Sequence, residues 1–206
     1  MEIEVTGVLL AGGKSRRMGE DKRYLVVGEQ TLLERGLGVL HSIFQEVLVV
    51  IAQDSPPLGV DARVVRDLVP DCGSLGGLYT GLTQAAAPCI FVVACDMPFL
   101  DQAVIAQFTT RRASADIVMA KFGTLLHPMH ALYGKRCLPA LEQMIRNRHL
   151  KIQELVSHAS LRVQYVTEAD LLTIDPSGRS FHNVNTPEDL EAARSLLARV
   201  PPSGQL

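Results

Sequence analysis

The residues able to do chemistry gather at a few points of the chain. Residues 9–22, LLAGGKSRRMGEDK, leave an apolar run through Gly12 and Gly13 and carry Lys14, Arg16, Arg17 and Lys22, with Arg23 next. A glycine loop between a strand and a helix lets backbone amides approach a ligand, and such a loop favours phosphate. Arg17 can grip phosphate oxygens bidentately, and Lys22 adds a mobile point charge. The spacing is neither GxxxxGK[ST] nor GxGxxG, so both familiar nucleotide fingerprints are absent. The bland reading is a flexible turn with solvated charges.

Four later stretches add candidates. Asp96, in VVACDMPFL, follows an apolar run, at the expected carboxyl end of a strand. A carboxylate there can hold Mg²⁺ against nucleotide phosphates, unless it is only a cap or turn residue. Asp67 ends another β-rich run and precedes the glycines of CGSLGGL, including Gly73, Gly76 and Gly77. Their plain alternatives are a helix cap and close packing. His127 lies in HPMHALYGK, where a strand-edge histidine is the plain alternative, and His130 is expected in packing or solvent. Asn183 and Asn185, in FHNVNTPEDL, have strand spacing, so both amides face one way and can hold phosphate or metal-bound water.

These groups need a scaffold that brings loop ends together. Continuous apolar runs at residues 5–10, 47–52 and 89–95 predict buried strands, with a short strand at 63–66. Between them, 31–44 and 75–87 have helical spacing; Thr31 with Glu34 reads as a capping box. Strands alternating with helices predict an α/β fold: a Rossmann-like three-layer α/β/α architecture with a mainly parallel central sheet, whose ligands bind beyond the carboxyl ends of the strands. The second half reads as helices at 101–112, 135–148 and 152–158 and strands at 116–121, 129–133 and 162–167. Thr186-Pro187-Glu188-Asp189 starts a last helix to about residue 199, with Thr186 and Pro187 as cap residues alone. The chain of 206 residues is expected to form one domain, about 1–100 binding nucleotide and about 101–200 binding the acceptor, with residues 201–206 as a flexible tail.

A formal net charge of -2 argues against a general nucleic-acid binder. The four cysteines form no CxxC pair and are expected to be small buried residues of a reducing cytosol. The start of the chain is too short and acidic for a signal peptide, and no apolar run spans a membrane. A cytoplasmic protein is expected.

LAGGKSRRMGEDK resembles the signature LAGGxSxRMGxDK of the MobA family, molybdenum cofactor guanylyltransferases. These are Rossmann-like enzymes that attach a nucleoside monophosphate to a phosphorylated acceptor and release pyrophosphate. The resemblance implies that the backbone of Leu10, Ala11, Gly12 and Gly13 holds a guanine nucleotide and that Arg17 and Lys22 neutralise its phosphates. CDMPF resembles a metal-binding CDxPF motif, which makes Asp96 the ligand of Mg²⁺, with Mn²⁺ as the alternative ion. The segment from Asp67 through Gly73 to Gly77 resembles one containing GPLAG that approaches base and ribose; here Ser74 stands where Pro is usual and Gly76 where Ala is usual. HPMHALYGK and NVNTPEDL are similar to acceptor-side and active-site motifs, which implies roles for His127, Asn183 and Asn185; KIQELV, 151–156, matches an acceptor-side helix more loosely. Lys22, Arg17 and Asp96 are then the catalytic set. GTP and molybdopterin are the implied substrates, and cofactor-delivering or molybdoenzyme maturation proteins the implied partners. Cytidylyl relatives usually carry LAAG, so Gly12 favours guanine, and its missing methyl is expected to make room for a purine. The alternatives are a CTP-dependent cytidylyltransferase of the same fold and a non-catalytic nucleotide or cofactor binding protein.

Overall fold

The computed structural model describes residues 5–12 and 21–198. One seven-stranded sheet organises them, in the order β5 (Arg63–Arg66), β4 (Val47–Ile51), β1 (Val5–Leu10), β6 (Cys89–Ala94), β8 (Leu125–Gly134), β7 (Ile117–Phe122) and β9 (Val163–Val166). Strands β1 (Val5–Leu10), β4 (Val47–Ile51), β5 (Arg63–Arg66) and β6 (Cys89–Ala94) are mutually parallel, as the continuous apolar runs of β1, β4 and β6 predict. A small antiparallel pair, β2 (Val26–Val27) and β3 (Gln30–Thr31), precedes α1 (Leu32–Ile43). The predicted capping box is present: Glu34 N–H donates to Thr31 Oγ1 at 3.2 Å, and Thr31 N–H to Glu34 Oε2 at 2.8 Å.

The second half departs from a purely parallel pattern. Strand β7 (Ile117–Phe122) turns through two residues, Gly123 and Thr124, into β8 (Leu125–Gly134). So short a turn can only join antiparallel neighbours. Strand β8 is therefore inserted between β6 and β7, against both. It is longer than the 129–133 expected from its apolar residues, because the hairpin extends it. Strand β9 (Val163–Val166) returns parallel to β7 and leads into the single-turn α5 (Glu168–Leu171). The helix expected from 135 begins later, as α4 (Leu138–Arg146) after a 3-10 turn, with Pro139 in its first turn.

Side chains alternate across the strands and build two apolar layers. Leu9, Val49 and Phe91 join α1, α3 (Gln102–Thr109) and α6 (Pro187–Ala198). Val8, Val50 and Val92 join α2 (Gly73–Gln84) and α4. Both sheet faces are thus covered, and polar function is left to the strand ends. Cys72, Cys95 and Cys137 are buried thiols and Cys89 is half-buried. Burial pushes the Cys95 and Cys137 thiols up to about 12, which keeps them protonated and unreactive. No helix among the described residues is long and apolar enough to cross a membrane.

Candidate active site

The carboxyl ends of β5, β4, β1 and β6 open into a cavity of about 760 Å³, large enough for a nucleotide. Hydrogen bonds that continue the strand ladders fix its floor. Ala11 N–H donates to the Val50 carbonyl at 2.9 Å, Cys95 N–H to Leu10 at 3.0 Å and Asp67 N–H to Ile51 at 2.8 Å. Leu10, Ala11 and Gly12 line the wall after β1, Asp96 lies after β6, Asp67 after β5, and Gly73 and Gly77 on α2. Asn183 and Asn185 reach the same cavity from the segment before α6.

Three of the predicted groups meet at one point. Lys22 Nζ donates to Asn185 Oδ1 at 2.7 Å and lies 3.4 Å from Asp96 Oδ2. The lysine sits in a one-turn 3-10 helix, Lys22–Tyr24, opened by Asp21. The Asp21 carboxylate accepts from the backbone and guanidinium of Arg23, so the residues flanking Lys22 brace its backbone. That pairing holds the Asp21 carboxyl below its ordinary range. Asn185 is fixed from the other side, because Asp189 Oδ2 accepts the Asn185 and Thr186 amides at 2.8 and 2.9 Å. Asp189 N–H donates to Thr186 Oγ1 at 3.2 Å, which completes the cap of α6. Thr186 and Pro187 thus act as the expected helix start, and Asp189 additionally positions a site residue. The Val184 amide donates to the Asp96 carbonyl at 2.8 Å and ties this segment to the end of β6.

Asp96 has a side-chain exposure of 24%. Burial raises its carboxyl above the ordinary value, and the Lys22 ammonium pulls it partly back. A half-buried anion beside one ammonium and an amide oxygen is suited to binding a hard cation or to holding a lysine in place. Asp67 has a partly structural task. Its Oδ1 accepts from Thr80 Oγ1 at 2.9 Å and from the Val69 amide at 3.1 Å, which ties the loop after β5 to α2.

The glycines of the cavity are explained by close approach. A Cβ on Gly12 would lie 3.2 Å from the Ala52 backbone nitrogen. A methyl there would press on the residue that follows β4, so Gly12 also serves the close approach of these two strand ends. At Gly76 a Cβ would lie 2.8 Å from the Val69 carbonyl oxygen and 3.0 Å from Asp67 Oδ2. Alanine is usual there in the motif this segment resembles, yet the loop of this chain packs too closely for it. We expect Gly76→Ala to destabilise the protein by about 1–2 kcal/mol, the clash outweighing a helix-propensity gain of ~1 kcal/mol. Urea denaturation checks this; an unchanged or higher stability would refute it.

The other predicted residues fall elsewhere. Gly13 and Arg17, with Lys14 and Arg16, lie outside the described residues. His127 does not line the cavity. The pairing of β7 with β8 jumps from Met119↔Ala131 to Ala120↔His127, and this bulge turns His127 toward the α1–α3 layer. Its ring packs against Phe122 and Phe181, with centroids 4.8 and 5.0 Å away, and burial lowers its pKa. Met129 faces the cavity instead. His130 is fully buried among Phe91, Phe108 and Phe181, and burial pushes its imidazole down to about 3, so it is neutral. Sequence reasoning passed over Gln53, Asp54 and Asp71, which also line the cavity. Gln53 and Asp54 follow the buried strand β4 as Asp96 follows β6, and that position was the available signal.

Comparison with known proteins is consistent with this geometry. A family described as MobA-like NTP transferase domain matches residues 7–163. The chain belongs to the MobA-like NTP transferase family. A relative from Pelotomaculum thermopropionicum, named "Probable molybdenum cofactor guanylyltransferase", is 37% identical over 194 residues, covering 94% of each chain. One from Desulfosudis oleivorans, named "Molybdenum cofactor guanylyltransferase", is 33% identical over 195 residues, 94% of this chain and 96% of the relative. The solved structure of molybdopterin-guanine dinucleotide biosynthesis protein A from Archaeoglobus fulgidus superposes with a TM-score of 0.81 at 25% identity, over 95% of this chain and all of that one. The family match spans β1 to the start of β9 and so includes Lys22, Asp67 and Asp96.

Proposed function

We propose that this protein transfers GMP from GTP to the terminal phosphate of molybdopterin, giving molybdopterin guanine dinucleotide and pyrophosphate. The observation that carries this reading is the convergence of Lys22, Asp96 and Asn185 at the mouth of a nucleotide-sized cavity. The names of the relatives supply the substrates. A phosphate oxygen of the acceptor attacks the α-phosphorus of GTP, the bond to the β-phosphate oxygen breaks, and pyrophosphate leaves. The acceptor phosphate is already ionised near neutral pH, so no strong base is required. Catalysis is then positioning together with neutralisation of charge.

Lys22 neutralises phosphate charge, and Asn185, itself braced by Asp189, keeps it at the cavity until substrate arrives. In this reading Arg17 adds a second cation, Leu10 and Ala11 line the wall with amides held in the sheet, and Gly12 and Gly13 offer backbone amides beyond it. Asp67, Gly73 and Gly77 border the nucleoside, and Asn183 stands on the acceptor side with Asn185. His127 is a packing residue behind that side and is not assigned contact with the acceptor.

The donor set fits a divalent cation. The Asp96 carboxylate and the Asn185 amide oxygen are hard ligands, and a lysine cation already stands between them. Mg²⁺ is the ion of choice, with Mn²⁺ as a substitute, because Mg²⁺ keeps several waters and uses one or two carboxylates beside substrate phosphates. When bound it would supply further neutralisation of the triphosphate. We place the protein in the cytoplasm as one nucleotidyltransferase domain, working with cofactor-delivering or molybdoenzyme maturation proteins.

A thermal-shift series with GTP, CTP, ATP and UTP, each with and without Mg²⁺, tests the reading. A ligand that binds only the folded state raises the melting temperature. Selective stabilisation by GTP is expected. A preference for CTP would transfer the same site to cytidylyl chemistry, and no response to any nucleotide would remove the enzyme reading.

A further inference from the structure

We infer that the Lys22 ammonium holds the place of the divalent cation in the nucleotide-free protein, so that a metal ion binds tightly here only together with a triphosphate. This rests on the reading of the cavity as a metal-assisted nucleotidyl transfer site. The ammonium sits between the two oxygen donors of that site, 2.7 Å from Asn185 Oδ1 and 3.4 Å from Asp96 Oδ2. Each contact occupies a ligand oxygen. A divalent ion entering alone would have to displace the lysine or stand beside a like charge, and neighbouring like charges are strongly unfavourable in a half-buried site.

The anchorage of Lys22 suits an exchange. Its backbone is braced by the Asp21–Arg23 pair, while its four-carbon stem leaves the charged head able to swing. A triphosphate in the cavity offers the ammonium phosphate oxygens, and the swing frees Asp96 and Asn185. Nucleotide and metal then strengthen each other's binding by the same factor. The device also keeps the Asp96 carboxylate compensated when the cavity holds no substrate, which a half-buried anion needs.

The test is a titration with Mn²⁺ alone, read by loss of the free-ion paramagnetic resonance signal. Lys22→Met, with no nucleotide present, is expected to bind Mn²⁺ at least about tenfold more tightly than the wild type. Adding Asp96→Asn to that variant should abolish the gain. In the wild type, a non-hydrolysable GTP analogue should raise Mn²⁺ affinity. Equal or weaker Mn²⁺ binding by Lys22→Met, with a wild-type melting temperature, overturns the inference; Lys22→Ala repeats the measurement with a shorter side chain if the first variant folds poorly. A protein that ignores every nucleotide yet gains Mn²⁺ affinity in Lys22→Met keeps the lysine as the cation's placeholder but overturns its exchange for a triphosphate, along with the guanylyl reading. Stabilisation by GTP without that gain keeps the function and loses the exchange.

Discussion

Asp96→Asn lowers the rate of GMP transfer by roughly 10³-fold or more and leaves the fold intact. The carboxylate lies at the end of β6, 3.4 Å from Lys22, and asparagine keeps its shape while removing its charge. The backbone contacts that shape the site survive, because they use the Asp96 carbonyl and the Cys95 amide. Stability should not fall. Burial raises the Asp96 pKa in the folded state, so between the ordinary value of 3.8 and the raised one the folded protein binds more protons than the unfolded chain. Stability from this group therefore declines as pH rises through that window, and above it a fixed penalty remains. Asparagine carries no such penalty, so the melting temperature at neutral pH should be unchanged or higher. Pyrophosphate release and differential scanning calorimetry check the two halves, and turnover near the wild-type rate would remove Asp96 from the machinery.

The same shift predicts where activity is lost in acid. The ionised carboxylate is the working form, and kcat/KM reports the free enzyme. Its acid limb is expected above pH 3.8, the ordinary aspartate value. Lys22 draws the Asp96 pKa down, so removing the lysine should move that limb to still higher pH.

Lys22→Ala should cost about 3 kcal/mol of barrier, roughly a hundredfold in kcat/KM, by comparison with removal of a single transition-state donor. The ammonium is held by Asn185 at 2.7 Å, and Asn185 is in turn held by Asp189. The cation therefore stands at the cavity before substrate arrives, and a short swing of its flexible stem carries it onto the phosphates. Lys22→Arg should recover only part of the loss, since a planar fork does not reproduce a compact ammonium between two oxygens. Steady-state kinetics with GTP and the pterin acceptor measure both variants. A Lys22→Ala enzyme within threefold of wild type would refute this role. The expected pattern is divergent, with Lys22→Ala gaining affinity for Mn²⁺ alone while losing turnover.

Much of the scaffold was legible because its signals are local. Continuous apolar runs marked β1, β4 and β6, since a strand covered on both faces has no polar side to show. Thr31 with Glu34 marked the start of α1, and Thr186 to Asp189 the start of α6, since a cap satisfies amides within one turn. That Gly12 and Asp96 reach the cavity was legible from their place at strand ends.

Other features depend on which strands become neighbours. Lys22 and Asn185 are separated by 163 positions and meet because α6 returns to the end of β6. The insertion of β8 against its neighbours, and the bulge that turns His127 into the opposite layer, follow from a two-residue turn and a register shift that no periodicity displays. The Asp67–Thr80 bond and the approach of Gly12 to Ala52 likewise exist only once β5, β4 and α2 are packed. By itself the sequence determined the strands, the caps and the chemical types available, because these are set by sterics and hydrogen bonds within a few residues. Which of those groups share one cavity was decided by the tertiary structure, because contacts between distant segments depend on sheet order and register.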